Sequence, residues 1–166
     1  MRLDENGSQV YTPSGTRPLS ITNTDNRIIA NAYRLRWEPI VAPNISKDQR
    51  GFIGGRSMLS NVIDVEHTAM IASLENDDAA IILFDLVADF PSVSRHYLQE
   101  MAKAAGFPDF AMTVLDSLYH MTVGTMLFHG ALHGQVPLEA GIRQGCPLSP
   151  LLFALASDSL LRIVKY

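Results

Sequence analysis

The chain has 166 residues and a formal net charge of −4, with 47% apolar and 18% charged residues. That suffices for one domain with a real hydrophobic core, is too short for two, and excludes a disordered or fibrous protein. No apolar run approaches the roughly 18 residues that cross a bilayer. The opening MRLDENGSQVYTPSG has no basic-then-apolar leader and the single Cys146 cannot close an internal disulfide, so a soluble intracellular chain is expected.

Charge is unevenly spread. Residues 1–60 carry eight Lys/Arg against five Asp/Glu, a local +3, and residues 61–166 carry five against twelve, a local −7. A basic half joined to an acidic half suits a site with cations for phosphates and carboxylates for metals, although ordinary surface scatter gives the same profile.

In chain order, residues 1–16 are polar, carry Gly7, Pro13 and Gly15, and read as a loop or frayed arm. Between about Asn23 and Ile40 the residues Ile29, Tyr33, Trp37 and Ile40 recur at helical spacing, and Pro43 ends the run. A glycine-rich loop, QRGFIGGRS, covers Gln49–Ser57, and a second helix runs from Met58 to Leu74 with Leu59, Val62, Ile63, Glu66 and Met70 marking its faces. The run AAIILFDL, Ala79–Leu86, reads as a fully buried strand. Ser94 caps a helix bearing Leu98, Met101 and Ala105 that Gly106 closes, and Asp109 caps another striped by Ala111, Val114, Leu115 and Leu118. Residues 121–128 and 131–139 predict a hairpin turning at His129-Gly130. Ser149 and Pro150 open a last helix, apolar nearly all round and therefore expected to be buried. The pattern is α+β, helices first and a small, mostly antiparallel sheet later.

Chemistry concentrates at two places. Asp85 ends an apolar strand, where a carboxylate must be hydrogen-bonded, paired or holding a cation, and Asp89 follows four residues on. A metal at Asp85 needs other carboxylates to converge on it. The loop GIRQGCPLSP, Gly141–Pro150, sets two glycines, Arg143 and Gln144 ahead of a helix N-terminus, as a phosphate or base contact would. A tight strand-to-helix connection explains those glycines equally well. The Gly51–Ser57 loop is no Walker A loop, since three residues instead of four separate its glycines and its cation is Arg56, which could still touch a nucleic-acid backbone. His129 and His133 have no third ligand, Cys146 has no assigned base, and Phe107 with Phe110 reads as core.

Four segments in order and spacing resemble successive motifs of non-LTR retrotransposon reverse transcriptases: RPLS (17–20), QRGFIGGRS (49–57), FDLVADFPSVS (84–94) and GIRQGCPLSPLLFALA (141–156). The resemblance covers residue 16 to the C-terminus, with residues 1–15 as an N-terminal arm. It implies the fingers helices and part of the palm of a right-hand polymerase, ending before the second catalytic hairpin. It also implies the site residues. Arg17 would contact the incoming triphosphate, Asp85 would be the first catalytic, metal-binding aspartate, and Phe90 would crowd the sugar 2′ position. Gln144 and Gly145 would pack on the nascent base pair, with Arg56 and Arg143 as nucleic-acid contacts. Two Mg²⁺ ions, an RNA template, a DNA primer and deoxynucleotide triphosphates are the implied cofactors and partners. The sequence departs from the pattern in three places: no Ala-Asp-Asp-type hairpin occurs, Pro91 and Asp89 stand where acidic and small residues are usual, and no basic residue precedes Arg17-Pro18 at the usual place. The chain alone is therefore expected to be inactive unless a missing palm and thumb half is supplied. A non-catalytic RNA- or heteroduplex-binding module that keeps the fingers surface is the alternative.

Overall fold

The computed structural model describes residues 20–85 and 88–164, with the backbone of residues 2–3 and 9–10. In the polar arm, β1 (Arg2–Leu3) pairs antiparallel with β2 (Gln9–Val10), a two-residue ladder where the sequence suggested only loop. The first helix, α1 (Thr24–Val41), is followed by a 3-10 turn over Ala42–Asn44 that contains Pro43. Pro39 sits within its last turn, and the helix ends two residues later. Its buried face is Ala30, Trp37 and Val41, with Tyr33 packed beside them. Ile29 and Ile40, expected on that face, are exposed. Spacing gives a helix its period, but the neighbouring helix selects the stripe.

The second helix, α2 (Met58–Glu75), matches its expected extent but buries no residue. Leu59, Val62, Ile63 and Met70 all remain exposed. The absence of Gly and Pro lets it run as a helix, although none of its faces is buried. The expected buried strand over residues 79–86 is overturned: residues 79–85 form no strand and are exposed, and Leu86 lies outside the described residues. Leu83 and Phe84 are 84% and 83% exposed. The physical reason is pairing. A strand persists only when a neighbour takes its N–H and C=O groups, and among the described residues each strand pairs solely with its own hairpin partner.

The core joins the buried face of α1 to the helices that follow. One turn of helix, α3 (Asp89–Ser92), leads to α4 (Arg95–Ala104), whose Ser94 cap accepts from the Tyr97 N–H at 3.4 Å. The C-terminus of α4 closes with Phe107 N–H to Ala102 C=O and Gly106 N–H to Lys103 C=O, the paired bonds of a Schellman end. Then α5 (Asp109–Tyr119) buries Ala111, Leu115 and Tyr119, and Asp109 is its first residue rather than its cap. A hairpin follows, β3 (Val123–Phe128) with β4 (Ala131–Pro137), turning at His129 and Gly130 with φ of 50° and 78°. Two successive positive φ values make the tight turn whose twist suits a two-stranded ribbon. A bulge at Thr125/Met126 interrupts the ladder, and nearly all of both strands is exposed.

The last helix, α6 (Ser149–Val164), is the axis of the core and packs against α4 and α1. Its first half is buried nearly all round (Leu151, Leu152, Ala154, Leu155, Ala156), but Leu160, Ile163 and Val164 emerge into solvent. Asp158, buried in the middle of α6, accepts from the Ser46 N–H and from Arg162 Nε, both at 2.7 Å, while Arg162 also donates to the Asn44 carbonyl. These bonds fasten the turn after α1 to the last helix. No helix among the described residues is long and apolar enough to cross a membrane.

Candidate functional site

The loop between β4 and α6 is held on both sides. Gly141 N–H donates to Val93 C=O at 3.1 Å and Ile142 N–H to Phe90 C=O at 2.8 Å, so the loop runs along α3. Gly141 has φ +80°, and a Cβ there would sit 2.8 Å from both the Cα and the carbonyl oxygen of Pro91. Gly145, at φ +82°, faces the Ser20 carbonyl so closely that a Cβ would collide with it, and Thr22 Oγ1 donates to the Gly145 carbonyl at 3.3 Å. Both glycines therefore serve close backbone approach as well as conformation. Ile142, Cys146 and Leu148 anchor the loop in the core. Gln144 stays half-exposed and makes no hydrogen bond among the described residues.

Against this loop stands a cluster of three aromatic rings. Phe90 on α3 and Phe153 on α6 stack with centroids 4.7 Å apart and planes 17° apart. Phe52, from the glycine-rich loop, meets both edge-on, at 5.7 Å to Phe90 and 6.0 Å to Phe153. Phe52 has φ 65°, a left-handed conformation that costs a non-glycine residue about 1–2 kcal/mol. The surrounding loop sustains it. Ile53 is buried, Gly54 N–H donates to Glu38 Oε1 at 2.8 Å, and Gln49 Nε2 donates to Ser157 Oγ on α6 at 2.8 Å.

The structure places the two candidate nucleic-acid arginines against the protein's own backbone. The Arg56 guanidinium donates to the carbonyls of Ser46, Gln49, Ala42 and Ile45. Arg143 donates to the Leu118 carbonyl, and Arg95 to those of Tyr119 and Leu138. Arg95 and Arg143 both lie over the Tyr119 ring, at 5.2 and 5.0 Å from its centroid. Two cations thus cap the C-terminal carbonyls of α5, where the helix dipole favours positive charge. Burial pulls the Arg95 guanidinium below its ordinary value and pushes the Tyr119 phenol up. The Ser149 hydroxyl lies near enough to oppose that rise, yet neither hydroxyl closes a hydrogen bond. In the basic first 60 residues Arg34 pairs with Glu38, and Arg50 pairs with Asp64 of the acidic half, which offsets one unit of the local +3 charge.

Asp85 is exposed at the end of the unpaired segment 79–85, and Asp89 opens α3. Among the described residues no three His, Cys, Asp or Glu side chains gather where a metal could sit. One exposed carboxylate does not fit the donor set of two Mg²⁺ ions, each of which wants near-octahedral oxygen coordination. Arg17 lies outside the described residues, but Ser20 and Thr22, just after it, rest on Gly145. The site therefore joins the residues following Arg17 with Phe90, Gln144 and Gly145, and leaves Arg56 and Arg143 turned inward. Sequence reasoning passed over Phe52 and Phe153. Phe52 sat in a loop read for its glycines, and Phe153 in a helix read as uniformly buried. A cavity of about 450 Å³ between α1, the α4–α5 turn and α6 is separate, lined by none of these aromatic or loop residues.

The sequence pattern described as reverse transcriptase (RNA-dependent DNA polymerase) matches residues 5–166. The chain is 28% identical over 149 residues to the Transposon TX1 uncharacterized 149 kDa protein of Xenopus laevis, covering 90% of this chain and 11% of that protein. It is 29% identical over 107 residues to the Retrovirus-related Pol polyprotein from type-1 retrotransposable element R2 of Popillia japonica, covering 61% of this chain and 17% of that protein. The chain thus spans less than a fifth of the length of either curated relative.

Proposed function

Because this chain belongs to the reverse transcriptase (RNA-dependent DNA polymerase) family, of the non-LTR retrotransposon kind, we propose that it carries part of the nucleotide- and template-facing surface of a larger polymerase. The parent reaction is attack of a primer 3′-hydroxyl on the α-phosphate of a deoxynucleotide, directed by an RNA template. What supports this reading is the convergence of sequence-distant stretches: the residues after Arg17 on Gly145, and Phe52 and Phe153 on Phe90.

In this proposal the fingers are α1, α2 and the loop between them, and the palm begins at the segment holding Asp85. Arg17 takes the triphosphate, Phe90 faces the sugar, and Gln144, its amide without a hydrogen bond among the described residues, reads the nascent pair with Gly145 beside it. Arg56 and Arg143 shape the loops that carry these groups, by holding carbonyls, rather than reaching phosphates. The chain binds and selects. The chemical step needs more carboxylates than Asp85 supplies.

The test is a pair of assays on the recombinant chain. Fluorescence anisotropy with a primed RNA–DNA duplex should show binding that weakens steeply with salt. A primer-extension assay with Mg²⁺ and deoxynucleotides should show no product above an Asp85→Ala control. Absence of duplex binding would sink the surface assignment, and extension above the control would sink the claim that the chain alone is inactive.

A further inference from the structure

Resting on the reading of Phe90 as the ring that faces the sugar 2′ position, we propose that Phe153 and Phe52 are positioning residues that hold that ring and so set how strongly a ribonucleotide is excluded. Phe90 has little support of its own. Its own element, α3, is one turn of four residues, too short to hold a side chain by its own stability. Its ring is only half-buried. Its position is borrowed from outside.

Phe153 is the firm support. Its neighbours Leu151, Leu152, Ala154 and Leu155 are buried on α6, and its ring stacks on Phe90 at 4.7 Å. Phe52 is the second support, and its backbone is held in a left-handed conformation while the residue is 54% exposed. A strained residue persists where its surroundings over-determine it, here through Ile53, the Glu38 carboxylate and the Gln49–Ser157 bond. An exposed aromatic kept in that conformation gains little from burial. Its ring stands nearly perpendicular to both stacked rings, at 82° to Phe90 and 88° to Phe153, so Phe153 backs the face of Phe90 while Phe52 bears on the stack from the side. Ribose differs from deoxyribose by one hydroxyl, so discrimination depends on a ring that cannot yield when that hydroxyl pushes on it.

The experiment measures dGTP and GTP affinities side by side, by competition binding to the 166-residue chain with a primed RNA–DNA duplex and Mg²⁺. The readout is the ratio of the two affinities, because a merely structural loss would weaken both nucleotides alike and leave it unchanged. Phe153→Leu and Phe52→Leu should each lower the dGTP preference by about 2- to 10-fold, the range one aromatic pair is worth. Phe153→Tyr, which keeps the stack, should preserve it. Phe52→Leu, at a half-exposed loop position, provides a folded variant should Phe153→Leu unfold. If Phe90→Leu collapses the ratio while both neighbouring variants keep it, the gate stands and the positioning role is refuted. If the unsubstituted chain shows no preference, or Phe90→Leu leaves it intact, the gate reading itself is refuted and this inference with it.

Discussion

Gly141→Ala is the sharpest test of how the loop before α6 is built. The new Cβ would lie 2.8 Å from two backbone atoms of Pro91, where carbon atoms prefer about 3.5–4.0 Å. Something must move by most of an ångström, and the neighbour is backbone, not the free end of a side chain. The left-handed φ of +80° adds about 1–2 kcal/mol for any residue with a Cβ. Relieving the clash strains the bonds from Gly141 N–H to Val93 C=O and from Ile142 N–H to Phe90 C=O, each worth about 1 kcal/mol net. The expected loss is therefore about 3–4 kcal/mol, a large share of the roughly 5–15 kcal/mol that holds a domain. Gly106→Ala is the internal control, because Gly106 shares the same φ but has open space around the site of its Cβ, so only about 1–2 kcal/mol should be lost there. Urea unfolding followed by far-ultraviolet circular dichroism gives both values. Equal losses for the two variants would refute the close-approach argument and leave backbone conformation as the sole role of Gly141.

Other expectations can be checked with the same preparations. Arg56→Lys should destabilise by about 2–4 kcal/mol in thermal or urea melts, because an ammonium cannot reproduce a planar fork set among four carbonyls. Full stability in that variant would show that those bonds contribute nothing. Asp158→Ala should lose about 3 kcal/mol by leaving the Ser46 N–H unpaired in a part-buried place, whereas Arg162→Ala, whose side chain is more than half exposed, should lose much less. The Tyr119 phenol is pushed up by burial, so its stabilising contribution is complete below the unfolded tyrosine value of about 10 and is lost as pH rises through the folded value. Tyr119→Phe should therefore resist alkaline unfolding better than the parent, and coincident pH–stability curves above about pH 10 would contradict that. Replacing Ile82 and Leu83 by Ser should change the unfolding free energy by less than about 0.5 kcal/mol while lowering aggregation in light scattering, since both side chains are exposed.

Much of the local structure was legible. The extents of α1, α2, α4, α5 and α6 and the turn at His129-Gly130 follow from spacing, capping residues and glycine placement, which are properties of a few neighbouring residues. The resemblance of the four segments to non-LTR reverse transcriptases was legible too, because it rests on residue order alone. What sequence could not supply was partnership. Ala79–Leu86 has the apolar, β-branched composition of a central strand, yet composition cannot provide the adjacent strand. Ile29 and Ile40 obey a helical period, yet α6 meets the face carrying Ala30, Trp37 and Val41 instead. Arg56 and Arg143 looked outward by charge, but carbonyls brought near by the fold occupy them. Phe153 lay inside a recognised motif, but nothing in the order of residues pointed to its stack with Phe90, more than sixty positions away.

The fastening of the turn after α1 to α6 has a consequence for how this chain is made. Ser46 and Asp158 are 112 positions apart, and Thr22 and Gly145 are 123 apart. Every helix of the core other than α6 is synthesised before the one that completes it. At a translation rate of about 5–20 residues per second, the apolar face of α1 waits about 6–22 seconds on the ribosome for its partner to emerge. During that wait Trp37 and Ile45 are open to holdase chaperones, and so are α2 and residues 81–84, which remain uncovered even after the core has closed. A cell that limits chaperone supply would thus limit the yield of this protein before any question of its chemistry arises.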